Sequence, residues 1–133
     1  MNNVSDSQLL QVPLHDAEIV SITTQWYESN TVLQLRIVLN SEEELTDVIS
    51  PYVSSYNLEV KFSKVWRIKQ DIRNDTYPKE SITTWKLVVH SELIQALKDI
   101  GITSESPIRH HEIVLSGGSK LDIIFELLDV ESL

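Results

Sequence analysis

Two short polar stretches of this chain carry side chains that could do chemistry, and the first is His15–Asp16. A carboxylate can orient an imidazole ring and raise its basicity, as a catalytic base requires. Neighbouring residues of an extended chain point to opposite faces, however, so the two side chains would not easily meet in a strand. In a turn, Asp16 could instead accept backbone N–H groups. The pair therefore favours a polar anchor at the start of the first strand over a corner of an active site.

The second stretch is His110-His111-Glu112. In a strand, His110 and Glu112 share one face while His111 points to the other. Two ligands on one strand could begin a metal site, but a transition metal usually takes three or four ligands. The remaining histidines, His15 and His90, show no matching ligand spacing. We therefore predict no metal and no cofactor.

Nucleophilic chemistry finds little support in the sequence. The chain has no cysteine, which excludes thiolate ligands, disulfides and cysteine nucleophiles and fits a reducing cytoplasm. The SGGS run at residues 116–119 lacks the G-x-S-x-G pattern of a serine-hydrolase elbow and lies between two predicted strands. It favours a hairpin turn. We predict no catalytic residue, and the sequence leans away from an enzyme.

The charge of the chain restricts its partners. A net charge of −9 argues against nucleic acid, because phosphate contacts dominate that affinity. The densest acidic run, Glu42–Glu44, is typical of a solvated loop, although it could also bind a basic protein surface. Candidate binding residues are therefore these acids together with the polar residues of the two stretches above: Glu42, Glu43, Glu44, Asp47, His15, Asp16, His110 and Glu112.

Length and hydropathy predict one domain in the cytoplasm. The 133 residues fit a single domain spanning residues 1–133, with the polar residues 1–12 frayed. No stretch resembles a signal peptide, and no apolar run approaches the ~18 residues of a membrane-spanning helix. We expect no membrane association.

Alternation of apolar and polar residues predicts about six strands. They cover AEIVSITTQWY, TVLQLRIVL, NLEVKFSKVWRIKQ, ITTWKLVVH, IRHHEIVL and LDIIFELLDV. A bulge or bend is expected near Ser63–Lys64, because Lys64 falls on the apolar face of the third run. The three tryptophans are in phase with aliphatic neighbours, which predicts core positions: Trp26, Trp66 and Trp85.

One main helix is predicted after Ser91, which suits an N-cap, and it stops at Gly101. Short connections between most of the strands permit only antiparallel pairing. We therefore predict an α+β fold, with a mostly antiparallel sheet of about six strands and the main helix packed on one face.

The register of the closing hairpin decides where the two adjacent histidines point. Burial of the apolar residues favours a register in which His111 faces Phe125 on the apolar side. His111 is then predicted to be neutral. His110 would face Glu126 on the polar side, as a cross-strand charge pair.

The segment Leu14–Ala17, followed by an alternating strand and a turn, resembles a set of small bacterial proteins that open with an L-H-D segment. Some of these are similar to immunity proteins of polymorphic toxin systems. The likeness rests on Leu14, His15 and Asp16 and on the order of the strands. It implies a bacterial protein without enzymatic activity.

Three functions are compatible with these observations. The leading prediction is a non-catalytic, acidic interaction module that meets a basic protein partner, in an immunity-like manner. The alternative is a small-molecule-binding protein or enzyme with a pocket formed by His15, His110, Glu112 and a tryptophan. A third possibility is a structural subunit of a larger assembly.

Overall fold

Most of the described chain folds into strands of two antiparallel sheets. The computed structural model describes residues 2–3, 5–10, 12, 14–38, 57–71 and 81–133. The first sheet contains β2 (Glu18–Gln25), β3 (Asn30–Arg36), β4 (Asn57–Ser63) and β9 (Leu127–Ser132), with the two-residue β1 (Asn2–Asn3) beside β9. The second contains β5 (Arg67–Asp71), β6 (Ile82–Leu87), β7 (Arg109–Leu115) and β8 (Lys120–Phe125). The helices in these residues are α1 (Asp6–Leu10) and α2 (Glu92–Asp99).

Two long stretches of chain pass from one sheet to the other. β4 is followed closely by β5 across Lys64, whose φ of 51° turns the backbone. β8 is followed by β9 across the single residue Glu126. β4 pairs with β9 in the first sheet, and β5 pairs with β8 in the second. The two bent stretches therefore stay paired on both sides of the bend, and the bend predicted near Ser63–Lys64 is confirmed.

A short bridge joins the outer strands β2 and β6. Glu18 pairs with Ser81 as an isolated antiparallel bridge. The Asp16 N–H donates to the Ile82 carbonyl at 2.8 Å, and the Ile82 N–H donates to the Ala17 carbonyl at 2.8 Å. The L-H-D segment thus lies where the two sheets meet at their outer edge.

Both sheets contribute to one core. An aromatic group lies within it, in which the rings of Phe62 and Phe125 are 4.7 Å apart and Phe62 stacks on Trp85 at 6.2 Å. Alternate residues of the strands surround these rings, as expected for strands that bury one face. These aliphatic residues include Leu33, Leu35, Leu58, Val60, Ile113, Leu121, Ile123, Leu128 and Val130.

The predicted class is confirmed, but its details need correction. The fold is α+β with antiparallel sheets. The prediction of about six strands with one main helix on a sheet face is wrong, because the bends at Lys64 and Glu126 divide two of the runs between sheets. This division gives two sheets of four strands each, apart from β1. Helix α2 begins at the predicted N-cap, Ser91, but none of its side chains is buried.

Two of the three tryptophans predicted to be core are exposed. Trp85 is 9% exposed, whereas Trp66 is 38% and Trp26 is 78% exposed. Strand β2 has a register shift between Ile19 and Ser21 and ends before Trp26, which lies in the following turn. Trp66 lies in the bend between β4 and β5. Alternation does not continue through a bulge or a bend, which is why the phase argument failed there.

The closing hairpin pairs in a register shifted by two residues from the predicted one. His111 lies opposite Ile123, and His110 lies opposite Ile124 rather than Glu126. A shift of two residues leaves every side chain on its expected face. Its cause is a three-residue loop whose last residue, Gly118, has φ 87°, a conformation that glycine adopts without strain.

Helix α1 lies within the segment that the sequence predicts to be frayed. Its residue Leu9 is 1% exposed and belongs to the core. Neither α1 nor α2, nor any other helix in the described part of the chain, is long and apolar enough to cross a membrane.

The different environments of the tryptophans predict different costs of truncation. Trp85→Ala should lower the free energy of unfolding by about 3–5 kcal/mol, because it leaves a cavity among packed rings. Trp26→Ala should change it by no more than about 0.5 kcal/mol. Urea unfolding followed by circular dichroism measures both, and Trp85→Phe is a milder second variant. Equal costs for Trp26→Ala and Trp85→Ala would contradict the described core.

Candidate functional site

Strand β7 carries two adjacent histidines that are both buried. His110 is 5% exposed and His111 is 0% exposed. Because neighbours in a strand point to opposite faces, one ring lies on each side of the second sheet. A polar ring that leaves water needs a hydrogen-bonding partner for each nitrogen. Both histidines have two.

His111 lies inside the core and links Trp85 to Asp6. The indole N–H of Trp85 donates to His111 Nδ1 at 2.9 Å. Because that nitrogen must accept, the ring proton lies on Nε2, 2.8 Å from Asp6 Oδ1. These two bonds suit a neutral ring, and the neutrality expected from the sequence stays a prediction. It also packs edge-on against Phe125, with centroids 4.9 Å apart.

Asp6 receives this hydrogen bond from helix α1 and also faces Arg109. Its Oδ2 lies 3.4 Å from Arg109 Nε. Burial alone would raise the pKa of Asp6, but the hydrogen bond and the electrostatic attraction of His111, together with the charge of Arg109, outweigh it and lower the pKa. The Arg109 guanidinium also lies over the Phe125 ring at 4.9 Å. This group of contacts fastens α1 to the second sheet.

On the opposite face of β7, His110 connects a hydroxyl to a carboxylate. Its Nδ1 lies 2.7 Å from Ser91 Oγ, and its Nε2 lies 2.7 Å from Asp122 Oδ1. Asp122 is 5% exposed, and Lys120 Nζ lies 3.8 Å from its second oxygen. The strand pairing of β7 with β8 and the N-cap of α2 therefore assemble a Ser–His–Asp chain.

Ser91 is half-buried and opens onto a groove of about 430 Å³. The groove has an apolar wall formed by Val89, Ile94 and Ile108. Its charged lining residues are Glu92 and Lys98. The groove runs along the first turns of helix α2. A molecule bound in it would therefore contact Ser91.

The predicted site residue Glu112 is engaged in charge pairing. Its carboxylate lies 3.4 Å from Lys86 Nζ and 3.1 Å from Lys120 Nζ. Burial would raise the pKa of Glu112, but the hydrogen bonds and charges of the two lysines lower it. The bond to Glu112 and the nearby charge of Asp122 raise the pKa of Lys120. Glu112 thus lies near the hydrogen-bonded residues Ser91, His110 and Asp122, but its partners are the two lysines rather than His110.

His15 and Asp16 lie at the far end of the second sheet. Their side chains are 72% and 62% exposed and 3.7 Å apart, and His15 Nδ1 lies 3.4 Å from the Ile82 carbonyl. The Val88 N–H donates a hydrogen bond to the backbone carbonyl of His110 at 2.9 Å. Ile82 and Val88 are separated by six residue steps of nearly extended chain, roughly 20 Å at ~3.3 Å per residue. The structure therefore does not bring His15 together with His110.

The acidic candidates of the first half of the chain lie outside the described residues: Glu42, Glu43, Glu44 and Asp47. Within the residues that the structure does describe, no three histidine or carboxylate side chains form a group that could hold a metal ion.

Three hydrogen-bonding partners of the two histidines were not anticipated from the sequence: Asp6, Asp122 and Ser91, which was expected only as an N-cap. A signal existed for Asp122, which is the one acid in the otherwise apolar run LDIIF. A carboxylate in a buried strand needs a partner. Asp6 had no such signal, because its contact with His111 joins residues far apart in the chain.

Comparison with known proteins gives no relative from which to transfer a function. No protein-family model matches the chain, and none of the curated proteins searched is significantly similar to it.

The lowered pKa of Asp6 predicts a pH-dependent stability. Asp6→Asn keeps an oxygen for His111 but removes the charge beside Arg109, so the variant should be less stable than wild type at neutral pH. Since the folded pKa is depressed, this stabilisation is complete above the ordinary value of 3.8 and is lost as the pH falls through the folded pKa. Urea unfolding at a series of pH values measures the difference.

The control for this experiment is Asp71→Asn, which alters an exposed carboxylate on β5 and should leave the stability unchanged. A stability difference between wild type and Asp6→Asn that stays constant from neutral pH to well below 3.8 would contradict the assigned contact.

Proposed function

We propose that the protein is an interaction module that binds a basic protein partner through an exposed aromatic surface. This aromatic surface consists of Trp26, Tyr27 and Trp66. The observation that carries the proposal is the exposure of these large side chains, which is 78% for Trp26, 106% for Tyr27 and 38% for Trp66. Tryptophan and tyrosine are enriched among the residues that dominate binding energy at protein interfaces.

One of the three rings is held in place by hydrogen bonds. The Trp66 indole N–H donates to Glu126 Oε2 at 2.9 Å, and the Ser106 N–H donates to Glu126 Oε1 at 3.1 Å. Glu126 is 5% exposed, so this support is itself fixed. A side chain that is already ordered loses less conformational entropy on binding, which favours affinity.

Trp26 and Trp66 line the same shallow depression, which has a volume of about 50 Å³. They reach it from different directions, Trp26 from the turn between β2 and β3 and Trp66 from the bend between β4 and β5. Arg67 also lines the depression. A partner side chain placed there would contact both rings, which supports the aromatic surface as a contact region.

The net charge of −9 supports a basic partner, because opposite potentials speed encounter and impose selectivity. With the L-H-D segment, it also supports an immunity-like role in a bacterial cytoplasm, in which the partner would be a toxin. Within the fold, the L-H-D segment has a structural part. Leu14 is 5% exposed, and the following residues form the bridge between β2 and β6.

The aromatic surface makes a direct prediction for binding. Wild-type protein used as bait in an extract of its native host should retain a basic protein, whereas Trp26→Ala combined with Tyr27→Ala should retain at least about 30-fold less. That loss corresponds to about 2 kcal/mol for a residue that dominates binding. Ile100→Ala, which alters an equally exposed apolar residue on another surface, should bind as wild type does.

Quantitative mass spectrometry of the retained proteins measures these ratios, and circular dichroism confirms that each bait is folded. The proposal is contradicted if the double variant and Ile100→Ala retain the same proteins as wild type in equal amounts.

A further inference from the structure

We propose that Ser91, His110 and Asp122 act as a catalytic triad that hydrolyses short carboxylic esters, with Ser91 as the nucleophile. Ser91 Oγ lies 2.7 Å from His110 Nδ1, and Asp122 Oδ1 lies 2.7 Å from His110 Nε2. These are the three roles that serine hydrolases need: a hydroxyl, a base within hydrogen-bond reach, and a carboxylate that orients the base. Such triads are recognised by geometry and roles rather than by sequence position.

The hydrogen bonds are compatible with the protonation that catalysis requires. In the proposed mechanism Asp122 acts as a carboxylate, which only accepts, so the ring proton of His110 lies on Nε2. Nδ1 is then free to accept the hydroxyl proton of Ser91. In serine proteases Nε2 faces the serine and Nδ1 faces the aspartate, whereas in His110 Nδ1 faces Ser91 and Nε2 faces Asp122. One nitrogen still acts as the base and the other still binds the carboxylate. His110 and Asp122 are both 5% exposed, which shields this pair from competition by water.

The first turn of helix α2 supplies hydrogen-bond donors near the Ser91 hydroxyl. The Ile94 N–H donates to Ser91 Oγ at 3.1 Å, and this bond favours a developing negative charge on the oxygen. The N–H groups of Glu92 and Leu93 precede the first hydrogen bond within the helix, which Gln95 donates to the Ser91 carbonyl. Donors of this kind stabilise the oxyanion of a tetrahedral intermediate.

The groove beside Ser91 indicates the substrate class. Its volume of about 430 Å³ suits a small molecule, and Val89, Ile94 and Ile108 offer an apolar wall for a short acyl chain. Glu92 and Lys98 line the same groove and place one charge of each sign beside this wall. Short acyl esters fit this combination better than long lipids or peptides.

The reaction proceeds in two balanced steps. Ser91 Oγ bonds to the ester carbonyl carbon while its proton moves to His110 Nδ1. The tetrahedral intermediate then expels the alcohol, which takes that proton, and leaves an ester on Ser91. A water molecule next attacks this acyl group and gives a proton to His110. Collapse of the second intermediate breaks the bond to Ser91 Oγ, which regains the proton, and releases the carboxylic acid.

Covalent labelling tests the triad directly. The full chain is incubated with an alkyl fluorophosphonate, which bonds to an activated serine with loss of fluoride, and intact-mass and peptide mass spectrometry locate the label. Wild-type protein should take up one label, on Ser91, and should hydrolyse p-nitrophenyl butyrate. Ser91→Ala and Ser91→Asn should abolish both reactions. Ser91→Asn retains a side chain that caps helices well, which separates loss of the nucleophile from loss of the cap.

Asp122→Asn tests the positioning residue through its pH profile. The variant should label about 10⁴-fold more slowly, and its residual rate should keep rising at alkaline pH because hydroxide must replace the oriented base. Ser104→Ala, which alters an exposed hydroxyl, and Trp26→Ala, which alters the aromatic surface, should both label as wild type does. Wild-type protein that stays unlabelled, or a label that persists in both Ser91 variants, would overturn the proposal.

Discussion

The placement of two adjacent histidines in one strand is the constraint on which much of this structure depends. His110 and His111 follow each other in β7, so their rings must lie on opposite faces of the second sheet. Both rings are buried, and therefore both faces of the sheet must be covered. Each cover must also bring a hydrogen-bonding partner, because a buried imidazole without one would be costly.

The two faces meet this requirement with different parts of the chain. Inside the core, Trp85 comes from the neighbouring strand β6, and Asp6 comes from helix α1 near the N-terminus. On the other face, Asp122 comes from the neighbouring strand β8, and Ser91 comes from the segment that opens helix α2. In each case one partner lies on a neighbouring strand and the other belongs to a helical segment. The histidines thus hold helix α1 and the N-cap residue of α2 in place.

This organisation separates the two surfaces to which we assign functions. The aromatic surface surrounds the bend between β4 and β5 and the turn that follows β2. The Ser91 groove lies along helix α2. Glu126 accepts a hydrogen bond from Trp66 of the aromatic surface. It is also the single residue between β8 and β9. The bend between β4 and β5 therefore also exposes Trp66, while Trp26 and Tyr27 are exposed by the turn between β2 and β3.

Sequence patterns predicted those features that depend on near neighbours in the chain. Alternation placed His110 and His111 on opposite faces, the misplaced Lys64 indicated the bend, and Ser91 was identified as an N-cap. Features that depend on the turn conformation or on distant contacts were missed. The three-residue loop ending at Gly118 shifted the register by two residues, which no alternation pattern can reveal.

The site depended still more on distant contacts. Ser91 and Asp122 each have an ordinary local explanation, as a helix cap and as a polar residue in a strand. Only the folded chain brings them to the same imidazole, because Ser91 comes from the segment that opens α2 and Asp122 comes from β8. His15 illustrates the converse case, because its neighbour Asp16 suggested a catalytic pair, whereas both side chains are exposed at a turn.

The protonation of the two histidine rings tests this account most directly. Long-range ¹H–¹⁵N correlation spectra of protein labelled at histidine, recorded at neutral pH, distinguish the two neutral forms of each ring from the charged form. We expect His110 and His111 both to be neutral with the proton on Nε2, because the proposed triad needs Nδ1 of His110 to accept from Ser91 and because the Trp85 indole donates to Nδ1 of His111. A proton on Nδ1 of either ring would contradict it.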